Sequence, residues 1–212
     1  MPRGPFPRGF DVGAARRHLG RVDRELARHM RRIGPIETEW HRRFDPVDAL
    51  ARSILYQQLS GKAAATIVGR VRERWCEGGA LRAEYLRAAP VAGLRECGVS
   101  FNKIAALKDL AEKADAGVVP KVSQLRFLSD QELIDRLTTV RGIGRWTVQM
   151  LLIFRLGRPD VFPVDDLGIQ KGAALVLGLA ATPKPKALLE LGAHWAPYRS
   201  LASMVLWRVV DG

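Results

Sequence analysis

Apolar residues recur at three- and four-residue steps along nearly the whole chain, and that spacing restricts it to helical architectures. Val12, Ala15, Leu19, Val22, Leu26, Met30 and Ile33 form one such stripe, predicting a single arginine-covered helix. Asp45-Pro46 predicts a capped helix running toward Ser60, and a second follows Gly61 from Lys62 to about Trp75. Shorter helices are expected at 80–88 and 91–97, and Ser100 caps another to about Ala116. Ser129 and Glu132 make a capping-box pair ahead of Leu133, Ile134 and Leu137. Further helices are expected from Gly144 through Leu156, from Asp165-Asp166 to about Leu179, after a Thr182-Pro183 cap, and from Pro197 to near Val210. No alternating run of β-branched residues interrupts the series, so an all-α fold is expected.

Charge narrows the partners. Lysine and arginine total 34 against 22 acidic residues, a formal net charge of +12, and only eight of those cations are lysine. A chain so rich in arginine suits a polyanion, because the planar guanidinium donates two hydrogen bonds to one phosphate. Two cysteines, Cys76 and Cys97, are too few for an iron–sulfur cluster or a four-thiolate metal site, and they fit a reducing compartment. The basic start MPRGPFPRGF has no apolar segment behind it, and no run approaches the ~18 apolar residues of a membrane span. Residues 1–10 are expected to be a basic disordered tail, and the protein a cytoplasmic one with no membrane partner.

Between two helical stretches lies Arg141-Gly142-Ile143-Gly144-Arg145. Two glycines permit positive φ and leave backbone N–H groups uncovered at the positive end of the following helix. Such a turn can hold one phosphate without a side chain, with Arg141 and Arg145 beside it, or it can be a plain helix–helix turn. Asp165 and Asp166 both stand at a helix start, where either could be simply an N-cap.

Taken together, these segments resemble the helix-hairpin-helix Gly/Pro-Asp DNA glycosylase superfamily, and within it the DNA-3-methyladenine glycosylase II family. Leu137-Thr-Thr-Val-Arg-Gly-Ile-Gly-Arg-Trp-Thr-Val148 resembles the hairpin, and Asp160-Val-Phe-Pro-Val-Asp-Asp-Leu-Gly-Ile-Gln-Lys171 the catalytic-aspartate segment. Asp45-Pro-x-x-Ala-Leu, Ile54-Leu-Tyr-Gln-Gln-Leu-Ser60 and Trp195-Ala-Pro-Tyr-Arg-Ser200 with Trp207 match as well, so the likeness spans roughly 40 to 210. It implies two helical lobes with a DNA and base cleft between them, one lobe mainly about 45–160, the other about 11–40 plus 161–212. It also implies a compact form without the extra N-terminal β domain of larger relatives.

The resemblance assigns residues. Asp166 takes the catalytic position and Asp165 becomes the structural cap. Trp146, Met150 and Trp207 fall at base-pocket positions, Met150 where larger relatives have tyrosine. Gly142, Ile143, Gly144, Arg145 and Thr147 would face DNA, and Gln57, Gln58 and Leu59 would wedge into the duplex, with Gln58 aligned to the family's leucine. Backbone carbonyls of Thr138, Val140 and Ile143 would hold a structural monovalent cation, Na+ or K+; no cofactor is required. Trp146 replaces the lysine of bifunctional members, so no Schiff base and no strand cleavage are expected. The implied activity is hydrolysis of the N-glycosidic bond of alkylated purines, of 3-methyladenine and 7-methylguanine type, in damaged double-stranded DNA by a monomer. The alternatives are another lesion (hypoxanthine, ethenoadenine or a mismatched base) or a non-catalytic DNA-binding module.

Overall fold

The computed structural model describes residues 7–212, and no strand occurs among them. The helices are α1 (Val12–Val22), α2 (Arg24–Ile33), α3 (Pro46–Tyr56), α4 (Gly61–Trp75), α5 (Ala83–Ala88), α6 (Val91–Glu96) and α7 (Phe101–Asp115). They continue with α8 (Val122–Leu125), α9 (Asp130–Leu137), α10 (Arg145–Leu151), α11 (Leu167–Leu177), α12 (Pro185–Leu191) and α13 (Arg199–Asp211). The all-α expectation is met. No helix among the described residues is long and apolar enough to cross a membrane.

The chain divides into two compact units, one of residues 43–148 and the other of residues 7–42 with 149–212. The division therefore falls inside α10, earlier than the 160 expected from the sequence. In the first unit α3 and α5 pack on α7, burying Leu50, Ile54, Leu86, Leu107 and Leu110 almost completely. In the second, α11 and α13 pack together and against α2, around Leu26, Ile169, Leu201 and Val205. Burial of each such side chain contributes ~1.5–3 kcal/mol, so these faces hold the units together.

The α11–α13 contact is unusually close, and glycine is the reason. A Cβ on Gly172 would lie 2.3 Å from the Leu206 carbonyl oxygen, and one on Gly168 would lie 2.9 Å from the Trp207 ring. Two glycines four apart thus clear one face of α11 for the backbone of α13.

Several expectations are corrected. The stripe from Val12 to Ile33 is two helices, because Asp23 leaves the helical region (φ −143°, ψ 107°) and its side chain caps Leu26 N–H at 2.9 Å. The helix expected from Gly144 through Leu156 stays α-helical only to Leu151, and Leu152–Leu156 is a π-helical turn closed by Gly157 at φ +61°. The N-cap of α12 is Lys184, not Thr182, and α13 begins at Arg199, two residues past Pro197. The tail expected over 1–10 is corrected at residues 7–10; residues 1–6 lie outside the described part. Gly9 N–H donates to the Leu156 carbonyl at 2.8 Å, and the Phe10 ring stands 4.5 Å from that of Trp40.

Candidate active site

In the first unit the expected hairpin forms between α9 and α10. The Ser129–Glu132 capping box opens α9, and the chain then turns through Thr138–Gly144, with Ile143 N–H donating to the Val140 carbonyl at 3.0 Å. Gly142 adopts φ +78°, which an L side chain resists, whereas Gly144 has ordinary φ and open space where a Cβ would stand. The two glycines therefore differ: the turn's own geometry needs Gly142, while at Gly144 the chain leaves room in front of the backbone. Gly142, Gly144, Arg145 and Trp146 are exposed, but Ile143 and Thr147 are buried and anchor the turn.

Helix α7 braces this turn. Asp109 accepts the Arg141 N–H at 2.7 Å and pairs with Lys113 at 2.9 Å, and Lys113 donates to the Thr139 carbonyl. Burial pushes the Asp109 carboxyl up, but the Arg141 N–H and Lys113 outweigh it and hold it below the usual carboxylate range. The backbone of the turn is thus held on a fixed support.

The segment Gln57–Ser60 joins α3 to α4 in the same unit. Gln57 Nε2 donates to the Gly142 carbonyl at 2.8 Å, and Lys103 Nζ donates to the carbonyls of Leu55 and Gln57 at 2.7 and 2.8 Å. Gln58 stands at φ +56°, the only described non-glycine residue with positive φ, and strain of this kind concentrates at functional loops. Gln58 and Leu59 are both exposed. Tethering of this segment to the hairpin through Gln57 was invisible in the sequence.

In the second unit a turn of Phe162–Val164 delivers the aspartates. Asp166 N–H donates to the Pro163 carbonyl at 3.0 Å, and Gln170 Nε2 donates to the Val164 carbonyl at 2.8 Å. The N-cap of α11 is Asp166, correcting the assignment of that role to Asp165, which is exposed. Asp166 Oδ1 accepts the Ile169 N–H at 2.9 Å and the Trp207 indole Nε1–H at 2.9 Å. Capping and indole contact share one oxygen because Ile169 is at the third helical position and Gly168 lets Trp207 approach. Both bonds fix the orientation of the Asp166 carboxyl at the start of α11.

Trp207 is half-buried and Trp146 is 50% exposed, so neither is an ordinary core residue. Phe154 was missed by sequence reasoning. It is 44% exposed on the π-helical turn, and its ring centroid lies 5.6 Å from that of Trp207 at 31°. The spacing Trp146, Met150, Phe154 was the available signal, since steps of four place side chains on one helical stripe. Cys76 and Cys97 are free and buried, and burial pushes the Cys76 thiol up to about 11, so it is a packing group and not a nucleophile. No group of His, Cys, Asp and Glu suited to a metal ion occurs among the described residues. The turn carbonyls of Thr138, Val140 and Ile143 are neutral oxygen donors, a set whose chemistry fits a weakly held monovalent cation.

The family model for HhH-GPD superfamily base excision DNA repair proteins matches residues 51–197. The chain belongs to this superfamily. The matched stretch contains the Gln57–Leu59 segment, the hairpin and Asp166, while Trp207 lies beyond it. Among HhH-GPD relatives, DNA-3-methyladenine glycosylase 1 of Schizosaccharomyces pombe is 36% identical over 192 residues, covering 90% of this chain and 84% of its own. The solved structure of the S. pombe 3-methyladenine DNA glycosylase in complex with abasic DNA superposes with a TM-score of 0.83 at 35% identity, covering 94% of this chain and 97% of that one. A DNA-3-methyladenine glycosidase from Bacillus halodurans gives 0.81 at 34% identity, covering 92% and 88%. The HhH-GPD fold is therefore shared over nearly the whole chain.

Proposed function

We propose that this HhH-GPD protein is a monofunctional DNA glycosylase that hydrolyses the N-glycosidic bond of alkylated purines in double-stranded DNA and leaves an abasic site. The observation that carries the reading is Asp166, a carboxylate held at a helix N-terminus by the Ile169 N–H and the Trp207 indole. Departure of the base builds positive charge on the sugar, and a carboxylate against that sugar stabilises the oxocarbenium-like state and orients the attacking water. A purine alkylated at N3 or N7 is already cationic, so it leaves without a general acid. Indole faces of Trp146 and Trp207 favour such a cation by ~1–2 kcal/mol when desolvated. Met150 would offer the base a contact without a polar group.

Gly142, Gly144, Arg145 and the Thr147 N–H would engage a phosphate, with Ile143 anchoring the turn beneath them; such a contact positions the protein but carries no lesion identity. A monovalent cation on the Thr138, Val140 and Ile143 carbonyls would add positive field there. Gln58 or Leu59, on the strained turn, would fill the gap of the flipped nucleotide and offset a few kcal/mol of unstacking. Trp146 offers no amine to the sugar, so the abasic site stays intact.

The test is incubation with duplexes carrying 3-methyladenine, 7-methylguanine, hypoxanthine or ethenoadenine, followed by hot alkali or by borohydride. Strand breaks that need alkali, on the methylated purines foremost and with no borohydride-trapped adduct, are expected. Breaks without alkali together with a trapped adduct overturn the monofunctional assignment.

A further inference from the structure

The π-helical turn Leu152–Leu156 ends a helix, so its last carbonyls lack partners within it. Three of them are met from outside by one short N-terminal segment and one indole. Trp40 Nε1 donates to the Ile153 carbonyl at 2.8 Å, the Arg8 guanidinium to the Arg155 carbonyl at 3.1 and 3.3 Å, and Gly9 N–H to the Leu156 carbonyl at 2.8 Å. Arg8 also donates to the Arg42 carbonyl at 3.0 Å, closing the segment over its own support. The packing admits nothing larger: a Cβ on Gly157 would lie 2.5 Å from the Trp40 ring and 2.7 Å from Gly9 Cα. Phe154 rides on this turn and its ring meets Trp207, whose indole holds Asp166.

We infer that Arg8, Gly9 and Trp40 form a strap whose donors cap the Ile153, Arg155 and Leu156 carbonyls and thereby position Phe154 against the Trp207–Asp166 pair. The strap residues are positioning residues: none reaches the reacting atoms, and each acts through the turn. The inference rests on the proposed glycosylase reading for its effect on rate, and on geometry alone for its effect on the turn. π-turns inside helices are frequent at functional sites because they leave backbone groups to be satisfied by something else. Here that something begins 147 residues earlier in the chain.

Two measurements separate the inference from a merely structural role. Amide exchange of the 152–158 segment is compared in wild type, Arg8→Ala, Arg8→Lys and Trp40→Phe. Faster exchange of that segment in Arg8→Ala and Trp40→Phe, with partial recovery in Arg8→Lys, is expected; exchange equal to wild type overturns the strap. Single-turnover release of 3-methyladenine is then measured for Arg8→Ala alone and in a Phe154→Leu background. The strap acting through Phe154 predicts a loss of roughly 10-fold in the first case and less than about 2-fold in the second, with undamaged-duplex affinity unchanged. Equal losses in both backgrounds overturn the positioning role. Absence of base release by wild type on every lesion would refute the glycosylase reading instead, and the exchange result would still decide whether the strap caps the turn.

Discussion

One oxygen of Asp166 both caps α11 and accepts the Trp207 indole, so the residue's structural and chemical duties can be separated by substitution. Asparagine keeps an oxygen acceptor for both bonds but removes the charge. Asp166→Asn is therefore expected to melt close to wild type while base release falls by roughly two to four orders of magnitude. Asp165→Asn, at an exposed position, is expected to keep nearly full activity. The aspartate pair itself was legible in the sequence. Which of the two caps the helix was not, because adjacent acids at a helix start are equivalent until backbone geometry fixes one at the cap.

Among the elements, the hairpin and its capping box were readable from glycine spacing and from Ser129 and Glu132, since these are local rules. The break at Asp23, the π-helical turn and the packed residues 7–10 were not. Each depends on a partner far along the chain: Trp195 Nε1 reaches Asp23 at 2.7 Å, and Arg8 and Trp40 reach the turn. Periodicity carries no record of such partners. The structure also divides the roles of the two hairpin glycines. Gly142→Ala, forced to φ +78° with Ala106 Cβ at 3.3 Å, should destabilise by about 1–2 kcal/mol in urea unfolding. Gly144→Ala meets open space and should leave stability unchanged, yet weaken damaged and undamaged duplex by similar factors. A Gly144→Ala loss confined to lesion DNA would assign this turn to base reading. Gly172→Ala, with the Leu206 carbonyl 2.3 Å from the new Cβ, should destabilise the second unit by about 1–3 kcal/mol.

Over the whole molecule, +12 of net charge predicts duplex binding that falls steeply with salt, with a slope unchanged in Trp146→Ala, since an indole releases no counterions. Acid stability should turn in part on Asp23. Burial pushes its carboxyl up, but the Leu26 N–H, the Trp195 indole and His194 prevail and hold it below the ordinary value. A depressed folded value means the contribution is complete above about pH 4 and is lost as pH falls through that value. The stability gap between wild type and Asp23→Asn should accordingly be widest near neutrality and narrow below pH 4; a gap independent of pH would place Asp23 outside the acid transition. The central claim is that Asp166 performs base release in an alkylbase glycosylase, and single-turnover release of 7-methylguanine by wild type and Asp166→Asn tests it most directly, with abasic-duplex affinity measured alongside. The account predicts release by wild type, near-abolition in the variant and affinity within a few-fold of wild type. Equal release by both proteins would contradict it.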